Sequence, residues 1–298
     1  MSTTQQKHLI VIVGPTAIGK TGLSVKLAKY FKCEILSADS RQFYKEMAIG
    51  TAKPTLEEMD GVRHHFVGNI SIQDDYTAGD FEKEAIQKLE GIFKTQNEAI
   101  LVGGSGLFIN SVCFGLDNIP SNAIVRNQLI EEWKSKGLEN LQAELQKVDP
   151  IYFKEVDIKN PHRVIRALET QRTSGKPYSS FRSMKNKNRP FKITWIGLNL
   201  NREEVYSNIN KRVDLMIKSG LIEEVKSLEN HKDMVCLKTV GYQEFYQNPS
   251  NQARAIELVK QNTRRFAKRQ ITFFKRNPEI KWFEPNQLEE IKEYISSK

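Results

Sequence analysis

The chain opens on apolar runs separated by stretches of helical period. Leu9-Ile10-Val11-Ile12-Val13 is a continuous apolar run, which predicts a strand buried on both faces over residues 8–13. Leu23, Leu27 and Ala28 then fall at helical spacing, which predicts a helix over residues 22–31 packed on the sheet. Further strands are expected at residues 33–37, 64–67, 99–102 and 191–198, and a capped helix entry at 75–80 leads into a helix over 81–93. Strand and helix alternating in this way predict an α/β fold, a parallel sheet flanked by helices. From about Asp117 the pattern changes to polar helical segments at 127–136 and 138–147, and strand character resumes only at Phe191. The expected organisation is a core over 1–116, a mainly helical insertion over 117–189 and a continued core over 190–298, whose helices fall at 203–219, 221–229 and 251–275.

Between the first strand and first helix stands Gly14-Pro15-Thr16-Ala17-Ile18-Gly19-Lys20-Thr21. The spacing G-x-x-x-x-G-K-[ST] is that of a phosphate-binding loop. Glycines let the backbone approach a phosphate, successive N–H groups and a helix N-terminus face the anion, and Lys20 and the Thr21 hydroxyl complete the cradle. The motif is formally nucleotide-binding. The second strand ends in Asp39-Ser40-Arg41-Gln42, at the carboxyl edge where open α/β sheets hold ligands, and Asp39 there is either a functional carboxylate or a turn former. Ala99-Ile100-Leu101-Val102 ends in Gly103-Gly104-Ser105-Gly106 without the acidic residue that an ATPase often places there for magnesium and water, which argues against a hydrolytic motor. His64 and His65 are sequence neighbours and alternate faces on a strand, so they read as structural and not as a metal pair.

Charge adds a partner class. With 45 Lys/Arg against 36 Asp/Glu the 298-residue chain carries a formal +9, and the excess is local. Residues 160–192 hold nine Lys/Arg against one Glu, with Tyr178, Phe181 and Phe191 among them, and residues 251–282 hold nine against two Glu. Arg264 with Lys268 and Arg265 with Arg269 are like-charged i,i+4 pairs that an anion would stabilise. Both regions suit a folded or single-stranded nucleic acid, the alternative for the first being a solvated basic loop. Three scattered cysteines, odd in number and without C-x-x-C spacing, suggest neither a disulfide framework nor a structural zinc site. With a polar start and no run long enough to span a membrane, the expectation is a cytoplasmic protein without a membrane partner.

Taken in order, the phosphate loop, Asp39-Ser40-Arg41-Gln42-Phe43-Tyr44, Gly50-Thr51-Ala52-Lys53-Pro54, Leu101-Val102-Gly103-Gly104-Ser105-Gly106-Leu107, His162-Arg163-Val164-Ile165-Arg166-Ala167-Leu168-Glu169, Val240-Gly241-Tyr242 and residues 263–274 resemble the tRNA dimethylallyltransferase family over nearly the whole chain. The resemblance implies a P-loop NTPase-like core with an inserted tRNA-binding domain. It implies transfer of a dimethylallyl group from dimethylallyl diphosphate to N6 of the adenine adjacent to the anticodon, with Mg2+. In that reading Gly14 to Thr21 grip the diphosphate, Thr21 contributes to the metal with diphosphate oxygens and water, and Asp39 accepts or orients the proton of the attacking amine. Arg212 is the second diphosphate-binding cation, acting with Lys20. Asp39 to Gln42, Ser105, Arg126, His162, Arg163, Val164, Ile165, Arg166 and Lys238, Thr239, Val240, Gly241, Tyr242, Gln243 fall at tRNA-contacting positions. Ile18, Ser105 and Phe273 depart from the commonest family residues while keeping the chemistry. The lack of a zinc-finger extension points to the bacterial form, expected as a monomer. The competing readings are a P-loop small-molecule kinase, a prenyltransferase of free adenine nucleotides, and an RNA-binding protein with a nucleotide switch.

Overall fold

The computed structural model describes residues 6–182 and 187–298; the first five residues of the polar start and residues 183–186 of the basic stretch lie outside them. Among the described residues, β1 (His8–Val13), β2 (Ile35–Ser37), β3 (His64–His65), β4 (Glu98–Gly103), β5 (Lys192–Leu198) and β6 (Lys281–Phe283) form one parallel sheet. Their order is β3-β2-β4-β1-β5-β6. The fully apolar β1 is central, in register with β4 on one side and β5 on the other.

Residue parity divides the core. α1 (Lys20–Phe31) follows β1, the short α2 (Leu56–Met59) and α3 (Ala78–Ile92) precede β4, and α4 (Gly106–Phe114) follows it. Leu9, Val11 and Val13 pack with Phe81 and Leu89 of α3 and Ile109 of α4, while Ile10 and Ile12 pack with Leu23 and Leu27 of α1 on the opposite face. Thr77 and Asp80 form a reciprocal capping box at the start of α3, which accounts for the polar helix entry.

The chain divides into two compact units: residues 1–114 with 188–298, and residues 115–187. The second contains α5 (Ala123–Lys136), α6 (Leu138–Val148), α7 (Pro150–Glu155) and α8 (Pro161–Ser174) around its own core of Leu129, Leu141, Leu145, Val164, Ile165 and Leu168. The first unit resumes with α9 (Arg202–Lys218), α10 (Leu221–Ser227), α11 (Gln243–Gln247), the long α12 (Gln252–Phe274) and α13 (Leu288–Ser296). A third cluster joins α9 to α12 around the buried Tyr242, Met47 and Leu237.

The sequence pattern does not announce β6 and α13. Lys281-Trp282-Phe283 is too short to show a period, and it becomes a strand by pairing with β5. All three cysteines are free and buried. No helix among the described residues is long and apolar enough to cross a membrane.

Candidate active site

The loop between β1 and α1 is shaped by backbone conformations that favour glycine. Gly14 has φ 151°, and a Cβ there would sit 2.7 Å from the Leu198 carbonyl oxygen at the end of β5. Gly19, at φ 93°, ends the loop, and no side chain caps α1, so its first-turn N–H groups remain available to an anion. Lys20 Nζ donates to the loop's own carbonyls, Gly14 O at 3.0 Å and Pro15 O at 2.7 Å. Burial pushes its pKa down to about 7 against the pull of Asp39, with Arg212 lowering it further.

Thr16 is held on two sides. Arg212 Nη1, from α9, donates to Thr16 Oγ1 at 3.1 Å, while the Thr16 N–H donates to Gln270 Oε1, from α12, at 2.9 Å. Gln270 Nε2 in turn donates to Gly104 O at 3.0 Å, at the end of β4. Burial lowers the Arg212 pKa, and Asp39 opposes that shift.

Asp39 follows β2. Its Oδ1 accepts the Arg41 N–H at 3.0 Å, so the residue makes the turn and also lines the site. Ser105 Oγ accepts the Ser40 N–H at 3.0 Å and is 3.2 Å from Ser40 Oγ, joining the ends of β2 and β4. Gln42 donates to the carbonyls of Thr51 at 3.1 Å and Ala52 at 3.0 Å.

Two cavities meet here, both within the first unit. One, of about 740 Å³, is lined by the phosphate loop from Thr16 to Gly22 and by Lys53 and Lys211. The other, of about 420 Å³, is walled by Met216, Val240, Phe266 and Phe273, with Ser40, Arg41 and Ser105 as polar groups. Thr16, Asp39, Thr51, Arg212, Met216, Phe266 and Gln270 line both, so the groups of opposite charge stand where a polar and a more apolar chamber join.

The wall that carries Thr51 is organised by Glu224 of α10, which the sequence pattern does not single out. Its carboxylate accepts the N–H groups of Ala48, Ile49 and Gly50 at 2.9, 2.8 and 2.9 Å and the Tyr242 hydroxyl at 2.7 Å. The Tyr242 ring leaves room only for glycine at position 50, where a Cβ would lie 2.5 Å from the ring. Tyr242, which the resemblance puts among the tRNA-contacting positions, is fully buried, its ring against Gly50 and its hydroxyl on Glu224. Gly241 is buried beside it, its N–H donating to the buried Glu244 at 2.9 Å. Thr239 and Val240 line the apolar chamber, Lys238 is exposed and Gln243 half-buried.

In the helical unit, the resemblance puts Val164 and Ile165 at RNA-contacting positions, but their side chains are core, 0% and 4% exposed. His162 and Arg163 are exposed on the same helix. Arg126 and Arg166 flank the fully buried Glu169, with bonds from Arg126 Nε at 3.1 Å and Nη2 at 3.0 Å and an Arg166 contact at 3.1 Å. Arg166 also donates to the carbonyls of Ile119 and Pro120, which ties it to the local fold. On α12, Arg265, Lys268 and Arg269 are exposed, whereas Arg264 is half-buried and donates to Asn210 Oδ1 at 2.7 Å.

No group of three or more His, Cys, Asp or Glu among the described residues could hold a metal alone. The donor set nonetheless fits Mg2+ brought with a diphosphate. Thr21 lines the polar chamber, its hydroxyl makes no hydrogen bond among the described residues, and Mg2+ is commonly held by few protein oxygens with phosphates and water.

A family model described as IPP transferase matches residues 42–277. The chain is 50% identical over 296 residues to a tRNA dimethylallyltransferase of Christiangramia forsetii, covering 98% of each, and 45% identical over 295 residues to tRNA dimethylallyltransferase 1 of Bacteroides fragilis, again covering 98% of each. The crystal structure of the full-length tRNA isopentenylpyrophosphate transferase from Bacillus halodurans superposes with TM-score 0.71 at 36% identity, covering 98% of this chain and 96% of that one. A eukaryotic dimethylallyltransferase acting on tRNA superposes with TM-score 0.80 at 25% identity, covering 98% and 80%.

Proposed function

The chain belongs to the IPP transferase family, the family of its tRNA dimethylallyltransferase relatives, and from that premise we propose how its two chambers carry out tRNA prenylation. The reaction moves the dimethylallyl group of dimethylallyl diphosphate to N6 of the adenine adjacent to the anticodon. The C1–O bond to diphosphate breaks, the N6–C1 bond forms, one N6 proton leaves to Asp39, and diphosphate is released.

The observation that carries this reading is the junction of the chambers. The polar one has the cationic loop for the leaving group, the apolar one has ring-lined walls for a planar base, and Asp39 stands where they meet. An allylic diphosphate leaves with negative charge on its oxygens, so catalysis requires preorganised donors there. The α1 N-terminus, Lys20 and Arg212 supply them. Anion binding offsets the burial that depresses the Lys20 pKa and keeps its ammonium charged. Bound by Thr21 and diphosphate oxygens, Mg2+ would neutralise further leaving-group charge. The exocyclic amine is a weak nucleophile, and removing its proton as the bond forms is worth roughly 10²–10⁴ in rate. An adenine in an anticodon loop must unstack to enter, a cost of a few kcal/mol that cationic contacts to flanking phosphates offset. Ser40, Arg41 and Ser105 on the apolar chamber, and the exposed His162, Arg163 and Lys238, are the RNA-facing groups in this reading.

Asp39→Ala tests it. The expected result is loss of prenyl incorporation into an anticodon stem-loop with stem-loop affinity within a few-fold of wild type; equal loss of affinity and rate would make Asp39 an RNA-holding group. Competition with AMP, expected not to suppress stem-loop labelling, separates this activity from prenylation of free nucleotides.

A further inference from the structure

Glu224 lines neither chamber, yet it fixes a segment that walls both. Three consecutive backbone N–H groups, of Ala48, Ile49 and Gly50, converge on its carboxylate at 2.9, 2.8 and 2.9 Å, a nest of the kind that binds anions. Beyond the nest the chain folds back on itself. The Thr51 hydroxyl donates to Met47 O at 2.7 Å and the Ala52 N–H to Ile49 O at 2.9 Å. Ala52 is thereby held at φ 46°, a left-handed conformation that disfavours a residue with a Cβ and persists only where its surroundings impose it. The far end of the segment is held from the opposite side. Gln42 Nε2 donates to the Thr51 and Ala52 carbonyls at 3.1 and 3.0 Å, and these two acceptors fix which way the amide points. The Gln42 N–H donates to the Asp39 carbonyl at 3.2 Å, closing the turn in which Asp39 Oδ1 accepts the Arg41 N–H. A continuous series of hydrogen bonds therefore runs from Glu224 on α10 to Asp39 at the junction of the chambers.

We propose that Glu224 is a positioning residue for Asp39. Its carboxylate sets residues 48–52, the carbonyls of that segment set Gln42, and Gln42 sets the turn that carries the proton acceptor. Four donors, including the Tyr242 hydroxyl, share the two carboxylate oxygens. An amide in the same place has one oxygen and would turn its NH2 against donors, so the charge-neutral isostere cannot hold the segment as the carboxylate does. Displacing a reacting group by about 1 Å can cost about 10²-fold in rate. This inference rests on the reading of Asp39 as acceptor of the N6 proton and adds to it the remote group that keeps that carboxylate in place.

The test is a double-mutant cycle on the full chain, read as single-turnover prenylation of an anticodon stem-loop at saturating substrates, at a temperature where each variant is folded. Glu224→Gln should slow the reaction about ten- to a hundredfold, with the dissociation constant of magnesium pyrophosphate within threefold of wild type. In an Asp39→Ala background the same substitution should cost less than twofold, because the group it positions is gone. Gln42→Met cuts the series at its other end; it should slow the reaction at least fivefold, and its loss should not add to that of Glu224→Gln. A merely structural Glu224 would lower stability but leave the rate of the folded protein within threefold of wild type, which would overturn the proposal. So would an equal loss in both Asp39 backgrounds, or a Gln42→Met variant as fast as wild type. Asp39→Ala reacting at the wild-type rate would instead overturn the reading of Asp39 itself.

Discussion

Arg212 reaches from α9 to the phosphate loop and donates to the Thr16 hydroxyl at 3.1 Å, although 196 positions separate the two residues. The contact places a guanidinium on the loop before any ligand arrives. Its positive charge, disfavoured by burial and supported by Asp39, would be stabilised further by a diphosphate bound at the loop. Arg212→Ala should therefore lower kcat by about 10²–10³, the scale for removing a preorganised donor from a developing anion. Single-turnover prenylation rates check it; a change confined to tRNA affinity would move Arg212 out of the leaving-group site.

Gly50 and Tyr242 form a second long-range pair with an equally definite consequence. Gly50→Ala forces a Cβ to 2.5 Å from a ring that is fully buried and fixed to Glu224, so neither partner yields easily. Overpacking of this kind costs about 1–3 kcal/mol. Glu224→Ala should cost a similar amount, about 1–3 kcal/mol, by leaving three loop N–H groups and a buried hydroxyl without their acceptor. Chemical denaturation measures both, and variants as stable as wild type would show that the loop repacks freely.

The helical unit supplies a pH dependence. Burial alone would raise the Glu169 pKa, but Arg126, the Asn122 N–H and Arg166 outweigh it and hold the carboxyl below its usual range. A carboxylate with a depressed folded pKa adds stability that is present above the unfolded value and lost as pH falls through the folded one. Glu169→Gln should therefore destabilise the protein at neutral pH and flatten the acid limb of its stability profile. Arg166→Ala should likewise lower stability, whereas the exposed Arg163→Glu should leave it unchanged, weaken tRNA binding and reduce the salt slope. Melting curves against pH and binding against salt separate the two cations; equal effects of both would contradict the assignment.

What the sequence discloses is what neighbouring residues encode. Leu9 to Val13 and Gly14 to Thr21 are contiguous, so the central strand and its loop are visible in order, and so is Asp39 at the next strand end. Gln270 and Glu224 act on partners 254 and 174 positions away, and nothing local marks a glutamine in a basic helix or one glutamate of a pair as special. Tyr242, Val164 and Ile165 show the reverse limit. They sit inside motifs that resemble RNA-contacting segments, yet their burial is set by helices elsewhere in the chain. The like-charged face of α12 is legible as a pattern, but Asn210, which engages Arg264, is not.

If the phosphate loop holds the leaving group of a prenyl donor and the acceptor is RNA, product formation needs no nucleoside triphosphate. Mass analysis of tRNA after incubation with dimethylallyl diphosphate and Mg2+, without any nucleoside triphosphate, tests it most directly. One dimethylallyl group should replace one hydrogen on the adenine beside the anticodon, with diphosphate released in equal amount. Unmodified tRNA under these conditions, or phosphate transferred from added ATP, would contradict it.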